Sequence, residues 1–198
     1  SGGHCKSCID VIETCGKFKI KGIIIHPQES IKKIMNYEVV GNDINISDCF
    51  RKDDLALICV GQIKSFEKRK YLFDLLSEKR INLATVMSKF AIISKNASIG
   101  EGSIVMHNAI INSGAQIGMN CILNTNSLLE HDVKIGSHCH VSTGAIINGG
   151  AKIGNGCFIG SGATLREGIE IGDNTIISAG QTVLKDLPSD TFFNSRFP

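Results

Sequence analysis

The sequence predicts a two-part fold: a small α/β unit with a Rossmann-like parallel sheet over residues 1–88, then an all-β, left-handed parallel β-helix over residues 89–198. Three observations predict it. An aliphatic residue recurs at every sixth position through the second half of the chain. Glycine recurs there at every eighteenth position. Apolar strand-like runs alternate with an amphipathic helical pattern in the first half.

The six-residue series runs Ile93, Ile99, Val105, Ile111, Ile117, Leu123, Leu129, Ile135, Val141, Ile147, Ile153, Ile159, Leu165, Ile171, Ile177 and Val183. Small residues often follow four places later, as at Ala97, Ala109, Ala115, Cys121, Cys139, Ala151 and Ala163. A period of six matches neither an α-helix nor an alternating strand. It matches a triangular coil in which each hexad is one short strand and one turn, with the aliphatic side chain pointing inward. Three hexads close a coil of 18, and Gly100, Gly118, Gly136, Gly154 and Gly172 mark that register. A glycine at one corner of each coil is expected to supply a tight or left-handed turn. Cys121, Cys139 and Cys157 share the 18-residue spacing. They are expected to stack as small core hydrophobes about 4.8 Å apart, the spacing of neighbouring strands. No hexad is interrupted, so no long loop leaves the helix. The ends of such a stack need covering. The first half covers one end, and the segment from Leu184 covers the other.

In the first half, Ser1-Gly2-Gly3-His4 reads as a turn that follows a strand preceding this numbering. An amphipathic stretch from Cys8 to Cys15 follows, then a strand over Ile20–Ile25. Leu55–Val60 is a continuous apolar run ending at Gly61, the pattern of a buried parallel strand. Glu67–Lys79 carries Tyr71, Leu72, Leu75 and Leu76 on one helical face, and Leu83–Val86 is a last short strand. Alternating strands and helices imply a parallel sheet. Ligands of such sheets sit at the carboxyl ends of strands, where Gly2-Gly3-His4 and Gly61-Gln62 fall.

Composition narrows the function classes. The 198 residues carry a net charge of +2, with 42% hydrophobic and 20% charged residues. No nucleic-acid partner is expected, because the basic excess that such binding requires is missing. No run of apolar residues is long enough to span a membrane. Eight cysteines without a second CxxC argue for free thiols in a reducing cytoplasm rather than for a zinc site. Cys5-x-x-Cys8 reads more readily as incidental than as a redox pair.

Among six histidines, His131 stands out. It lies two residues past the inward Leu129 and therefore projects outward. Asp132 follows and can orient the ring and stabilise its protonated form, the outline of a general base. A metal reading of His107, His131, His138 and His140 lacks a carboxylate-rich surround, and no metal is expected.

The stretch Asn124-Thr125-Asn126-Ser127-Leu128-Leu129-Glu130-His131-Asp132, the later His140-Val141-Ser142, the opening Gly-Gly-His and the Gly61-Gln62 step together carry a resemblance. The chain resembles the bacterial sugar acetyltransferases that include sialic acid O-acetyltransferases and N-acetyltransferases of nucleotide-linked 4-amino sugars. The resemblance covers nearly the whole chain. It implies a homotrimer with sites between adjacent β-helices, acetyl-CoA as donor and a small sugar as acceptor. It implies His131 as base and Asp132 as its support. Gly2, Gly3, His4, Gly61 and Asn124 would line the sugar-nucleotide site, and His140, Ser161 and Ala179 would contact acetyl-CoA. Thr143, Ser161 and Ala179 lie 18 residues apart, a file along which a long CoA arm would run.

Three departures from that pattern are visible. The second strand ends Ile24-Ile25-His26-Pro27 without the usual acid. Asp132 stands where the amino-sugar enzymes often have Glu. The tail reads Phe192-Phe193-Asn194-Ser195-Arg196-Phe197-Pro198 in place of Gly-x-Pro-Ala. The resemblance thus implies N-acetylation of a nucleotide-linked amino sugar for surface glycans, with O-acetylation of a sialic-acid-like sugar as the alternative. A β-helix metalloenzyme and a non-catalytic trimeric scaffold are the alternatives of other classes.

Overall fold

The computed structural model describes residues 2–195. Helix α1 spans Gly3–Cys15, starting five residues before the amphipathic stretch, so Gly3 and His4 form its first turn rather than a loop. No side chain caps it, and Gly2 is its extended N-cap. It ends where Gly16 turns left-handed at φ 68, a conformation that glycine adopts without a Cβ penalty. Its buried face is Cys5, Cys8, Ile9, Val11 and Ile12.

Strands β1 (Ile23–Ile25), β2 (Lys33–Ile34) and β3 (Tyr37–Asn42) form a sheet in the order β1-β3-β2. The β1–β3 pair is parallel and the β2–β3 pair antiparallel, so this small sheet is mixed rather than parallel throughout. The expected strand over Leu55–Val60 is extended chain with a single parallel bridge, Ala56 to Leu83. Its carbonyls are engaged elsewhere: the Arg69 guanidinium donates to Ile58 O and Val60 O, each at 2.7 Å. Helix α2, Glu67–Glu78, buries Arg69, Leu72, Phe73 and Leu76.

The β-helix begins earlier than the hexad series suggests. Val86–Met87, expected to end the α/β unit, pairs in parallel with Ile104–Val105 and is the first rung of the helix. Three parallel sheets of seven, six and five strands form its faces. The first face runs from Val86–Met87 through Ile122–Leu123 and His140–Val141 to Phe192–Phe193. The second runs from Ile92–Ile93 through Leu128–Leu129, and the third from Ser98–Ile99 through Lys134–Ile135. Register shifts by 18 residues along each face, as in Ile122 against His140 and Leu129 against Ile147. The inward aliphatics, from Val105 to Val183, form one core with the three stacked cysteines, which are fully buried. Each thiol also donates to a backbone carbonyl of the next coil, Cys139 to Gly154 O at 3.0 Å for example. Near the end, Phe192–Phe193 pairs with Ile176–Ile177 and extends the first face; the rest of the unusual tail, residues 196–198, lies outside the described residues.

The 18-residue glycines do a different job from the expected turn. None of Gly100, Gly118, Gly136, Gly154 and Gly172 has positive φ. They are required by close approach: a Cβ at Gly118 would lie 2.6 Å from Ser137 N in the next coil. The left-handed residues lie two places later and recur at every sixth position from 102 to 180. The non-glycines among them are Asn108, Asn120, Asn126, Asp132, His138 and Asn174. Asn and Asp are the side chains that tolerate this region best. Among the described residues, no helix is long and apolar enough to cross a membrane.

Candidate active site

The corner between the second and third faces carries the first group of site residues. The chain leaves Leu128–Leu129, turns through Glu130, His131 and Asp132, and re-enters the core at the fully buried Val133. Two inward anchors four residues apart force the residues between them outward. Asp132 sits at φ 59, and its N–H donates to Ser113 O at 3.0 Å in the preceding coil. Its carboxylate lies 3.0 Å from His131 Nδ1, and both side chains are about two-thirds or more exposed, at 68% and 72%. An ionised carboxylate can only accept, so the proton sits on Nδ1 and Nε2 keeps its lone pair. Among the described residues, Nε2 has no hydrogen-bond partner. That arrangement suits proton abstraction from a group outside the β-helix.

The second group lies under α1, on the first face. His140 Nδ1 donates to Gln62 O at 2.6 Å, and His140 Nε2 accepts from Asn124 Nδ2 at 3.1 Å. Gln62 in turn donates to His138 O at 2.9 Å and Cys157 O at 3.3 Å. His4, in the first turn of α1, stacks obliquely on His140 with ring centroids 6.4 Å apart, and Gly61 abuts it. Burial pushes the His4 imidazole down to about 4, helped by the charge of Arg69. Burial likewise pushes His140 to about 4, against the opposing pull of the Gln62 carbonyl. Both rings are therefore neutral at pH 7. Gly2 and Gly3 end this group in open space, with nothing within 4 Å of where a Cβ would stand.

The predicted residues thus separate. His131 and Asp132 occupy one corner. Asn124, Ser161 and Ala179 occupy the corner between the first and second faces, and His140 lies on the first face beside Gln62, Gly61 and His4. Ser161 and Ala179 are exposed, with Thr143, in one file along that corner; Ser161 Oγ meets Ser142 Oγ at 2.9 Å. His140 is buried and both of its ring nitrogens are engaged within the protein. Burial raises the carboxyl of Asp43, which follows β3, against the opposing influence of His26. Among the described residues no three His, Cys, Asp or Glu side chains are grouped to hold a metal ion.

Arg69 is the residue that sequence reasoning passed over. It joins the two parts of the molecule, donating to Ile58 O, Val60 O, Asn120 O and Asn120 Oδ1. An arginine in the buried stripe with Leu72, Phe73 and Leu76 was the available signal.

Residues 87–189, more than half of the chain, match the family model of the GMPPB C-terminal domain, and residues 1–74 match the PglD N-terminal domain. No curated protein sequence matches the chain. Among solved structures, a histidine variant of perosamine N-acetyltransferase from Caulobacter crescentus, in complex with CoA and GDP-perosamine, superposes with a TM-score of 0.86 at 26% identity. It covers 96% of this chain and 88% of that one. The acetyltransferase domain of PglB from Neisseria gonorrhoeae in complex with acetyl coenzyme A gives 0.86 at 23% identity over 94% and 89%. WeeI from Acinetobacter baumannii gives 0.86 at 22% identity over 96% and 91%. The last two are similar in fold.

Proposed function

We propose, for a chain that belongs through residues 87–189 to the GMPPB C-terminal domain family and as a whole to the bacterial sugar N-acetyltransferases, that it transfers the acetyl group of acetyl-CoA to the amino group of a nucleotide-linked amino sugar. The observation that carries this reading is the His131–Asp132 pair, held outward with Nε2 free to take a proton.

In this reading His131 Nε2 removes the proton of the acceptor amine as the nitrogen bonds to the acetyl carbonyl carbon. Asp132 stabilises the resulting imidazolium, which returns the proton to the departing thiolate. Acetyl-CoA supplies the thioester. The exposed file Thr143, Ser161 and Ala179 fits its long arm, because small side chains leave room along the axis. Gly2, Gly3, His4, Gly61 and Asn124 take the sugar nucleotide. The two groups lie at different corners of one chain, and a neighbouring copy in a homotrimer would bring the His131 corner of one protomer to the sugar pocket of the next. Free thiols and an acetyl-CoA donor fit a reducing cytoplasm.

The test is thiol release from acetyl-CoA against a panel of UDP-, GDP- and dTDP-linked amino sugars and free nonulosonic acids. Turnover with a nucleotide-linked amino sugar supports N-acetylation. Turnover confined to nonulosonic acids moves the assignment to O-acetylation, and no turnover with any acceptor removes both.

A further inference from the structure

His131 Nδ1 and the Asp132 carboxylate form a hydrogen-bonded pair that both residues present to solvent. Exposed pairs of this kind contribute little and are screened by salt. The pair alone therefore does not hold the ring in one place. The coils on either side leave clear the space that the ring and the carboxylate occupy.

One coil beyond His131 stands Gly149, at the same corner. A Cβ there would lie 2.6 Å from His131 Nε2, 2.7 Å from Cε1 and 3.2 Å from Cδ2, so the ring edge rests on the bare Cα. Gly149 is not among the left-handed residues, so its backbone does not require glycine. One coil before Asp132 stands Gly114, where a Cβ would run into the Asp132 carboxylate. Gly114 is left-handed at φ 77, so it answers to the turn as well. The two vacant Cβ positions flank the pair along the helix axis, one for each partner.

We infer that Gly149 is a positioning residue for the base: it clears the space in which the Nε2–Cε1 edge of the His131 ring rests against the next coil, with Nδ1 turned to Asp132. Gly114 clears the corresponding space for the carboxylate. The inference rests on the role assigned to His131 above. It states where the ring is seated and what seats it. Displacing a catalytic group by about 1 Å costs up to roughly a hundredfold in rate.

The decisive variant is Gly149→Ala in the full chain. It is expected to lower kcat about tenfold to a hundredfold, leave KM for acetyl-CoA within about twofold and leave the melting temperature nearly unchanged, since the added methyl meets a movable, exposed ring. In a His131→Ala background the same substitution is expected to change kcat by less than about twofold, because the ring it displaces is gone. Imidazole 15N spectra read the seat without reference to activity: the His131 signals should shift in Gly149→Ala while those of His107 stay in place. Gly149→Ala with wild-type kcat and unshifted His131 signals overturns the inference. An equal fall in kcat with and without His131 also overturns it, since Gly149 would then act on something other than the ring. A fully active His131→Ala protein would remove the assigned base instead, and the imidazole spectrum would still decide whether Gly149 seats it. Gly114→Ala, expected to shift the same signals with some loss of thermal stability, is the second variant.

Discussion

The two histidine environments of this molecule are opposites. At the corner between the second and third faces, His131 is exposed and has one ring nitrogen free. Beneath α1, His140 is buried with both nitrogens engaged, and its neighbour His4 is also held neutral near a pKa of about 4. A side chain that must gain and lose a proton in each turnover needs a free lone pair and access to the acceptor. A side chain that fixes a loop needs a single protonation state and two fixed partners. In the proposed reading the same residue type does both, because one lies between inward anchors on a turn and the other is covered by a helix.

The largest effect is expected where the comparison is most exposed to failure. His131→Ala should lower kcat by roughly 10²–10⁴-fold with an unchanged melting temperature, because little is buried at that corner. A loss of stability instead of rate would make the two histidine sites alike. Next, Arg69→Met should lower thermal stability by about 3 kcal/mol or more, since it leaves the carbonyls of Ile58, Val60 and Asn120 without their donor. Thermal denaturation followed by circular dichroism measures it, and an unaltered melting temperature would show that the buried guanidinium contributes nothing net.

Acid should act on the buried side of the comparison alone. His4 and His140 have folded pKa values near 4 against an ordinary 6.5, so the unfolded chain binds more protons below pH 6.5. Their neutral state therefore costs no stability at pH 7. It costs progressively more as the pH falls from about 6.5 to about 4, reaching about 3 kcal/mol for His140. Melting temperature measured from pH 7 to pH 4.5 should fall, and His140→Gln should flatten that fall. The smallest effect is expected at Asp132→Asn, which keeps a residue suited to the left-handed turn. Water screens the exposed carboxylate, so its support of the ring is small and kcat should fall only about fivefold.

Much of the β-helix was legible because a single rule repeats. An inward aliphatic every six residues leaves one architecture that buries all of them, and the strand register follows from the count of three. The meaning of the glycines was not legible in the same way. The sequence shows Gly118 at an 18-residue spacing, but whether the cause is a turn or a neighbouring backbone depends on the distance to the next coil. The left-handed column was readable in hindsight, since Asn108, Asn120, Asn126, Asp132 and Asn174 alternate with glycines at a period of six. In the first half the apolar run Leu55–Val60 has the composition of a strand. Its carbonyls, however, go to an arginine on a helix further along the chain, a tertiary choice that no local pattern encodes. At the site, the outward direction of His131 followed from its place after Leu129. The burial of His140 did not, because it depends on α1 and Gln62 lying over that face.

In the proposed reading these two regions, set at separate corners of one chain, are the two halves of one site completed by a neighbouring copy. Co-expression of two inactive variants tests it most directly. His131→Ala removes the base, and Gly61→Trp sets an indole against His4. If sites form between copies, mixed assemblies contain some sites with both halves intact, and thiol release should reappear well above that of either variant alone. Mixed assemblies as inactive as the separate variants would contradict the account and place the whole site within a single chain.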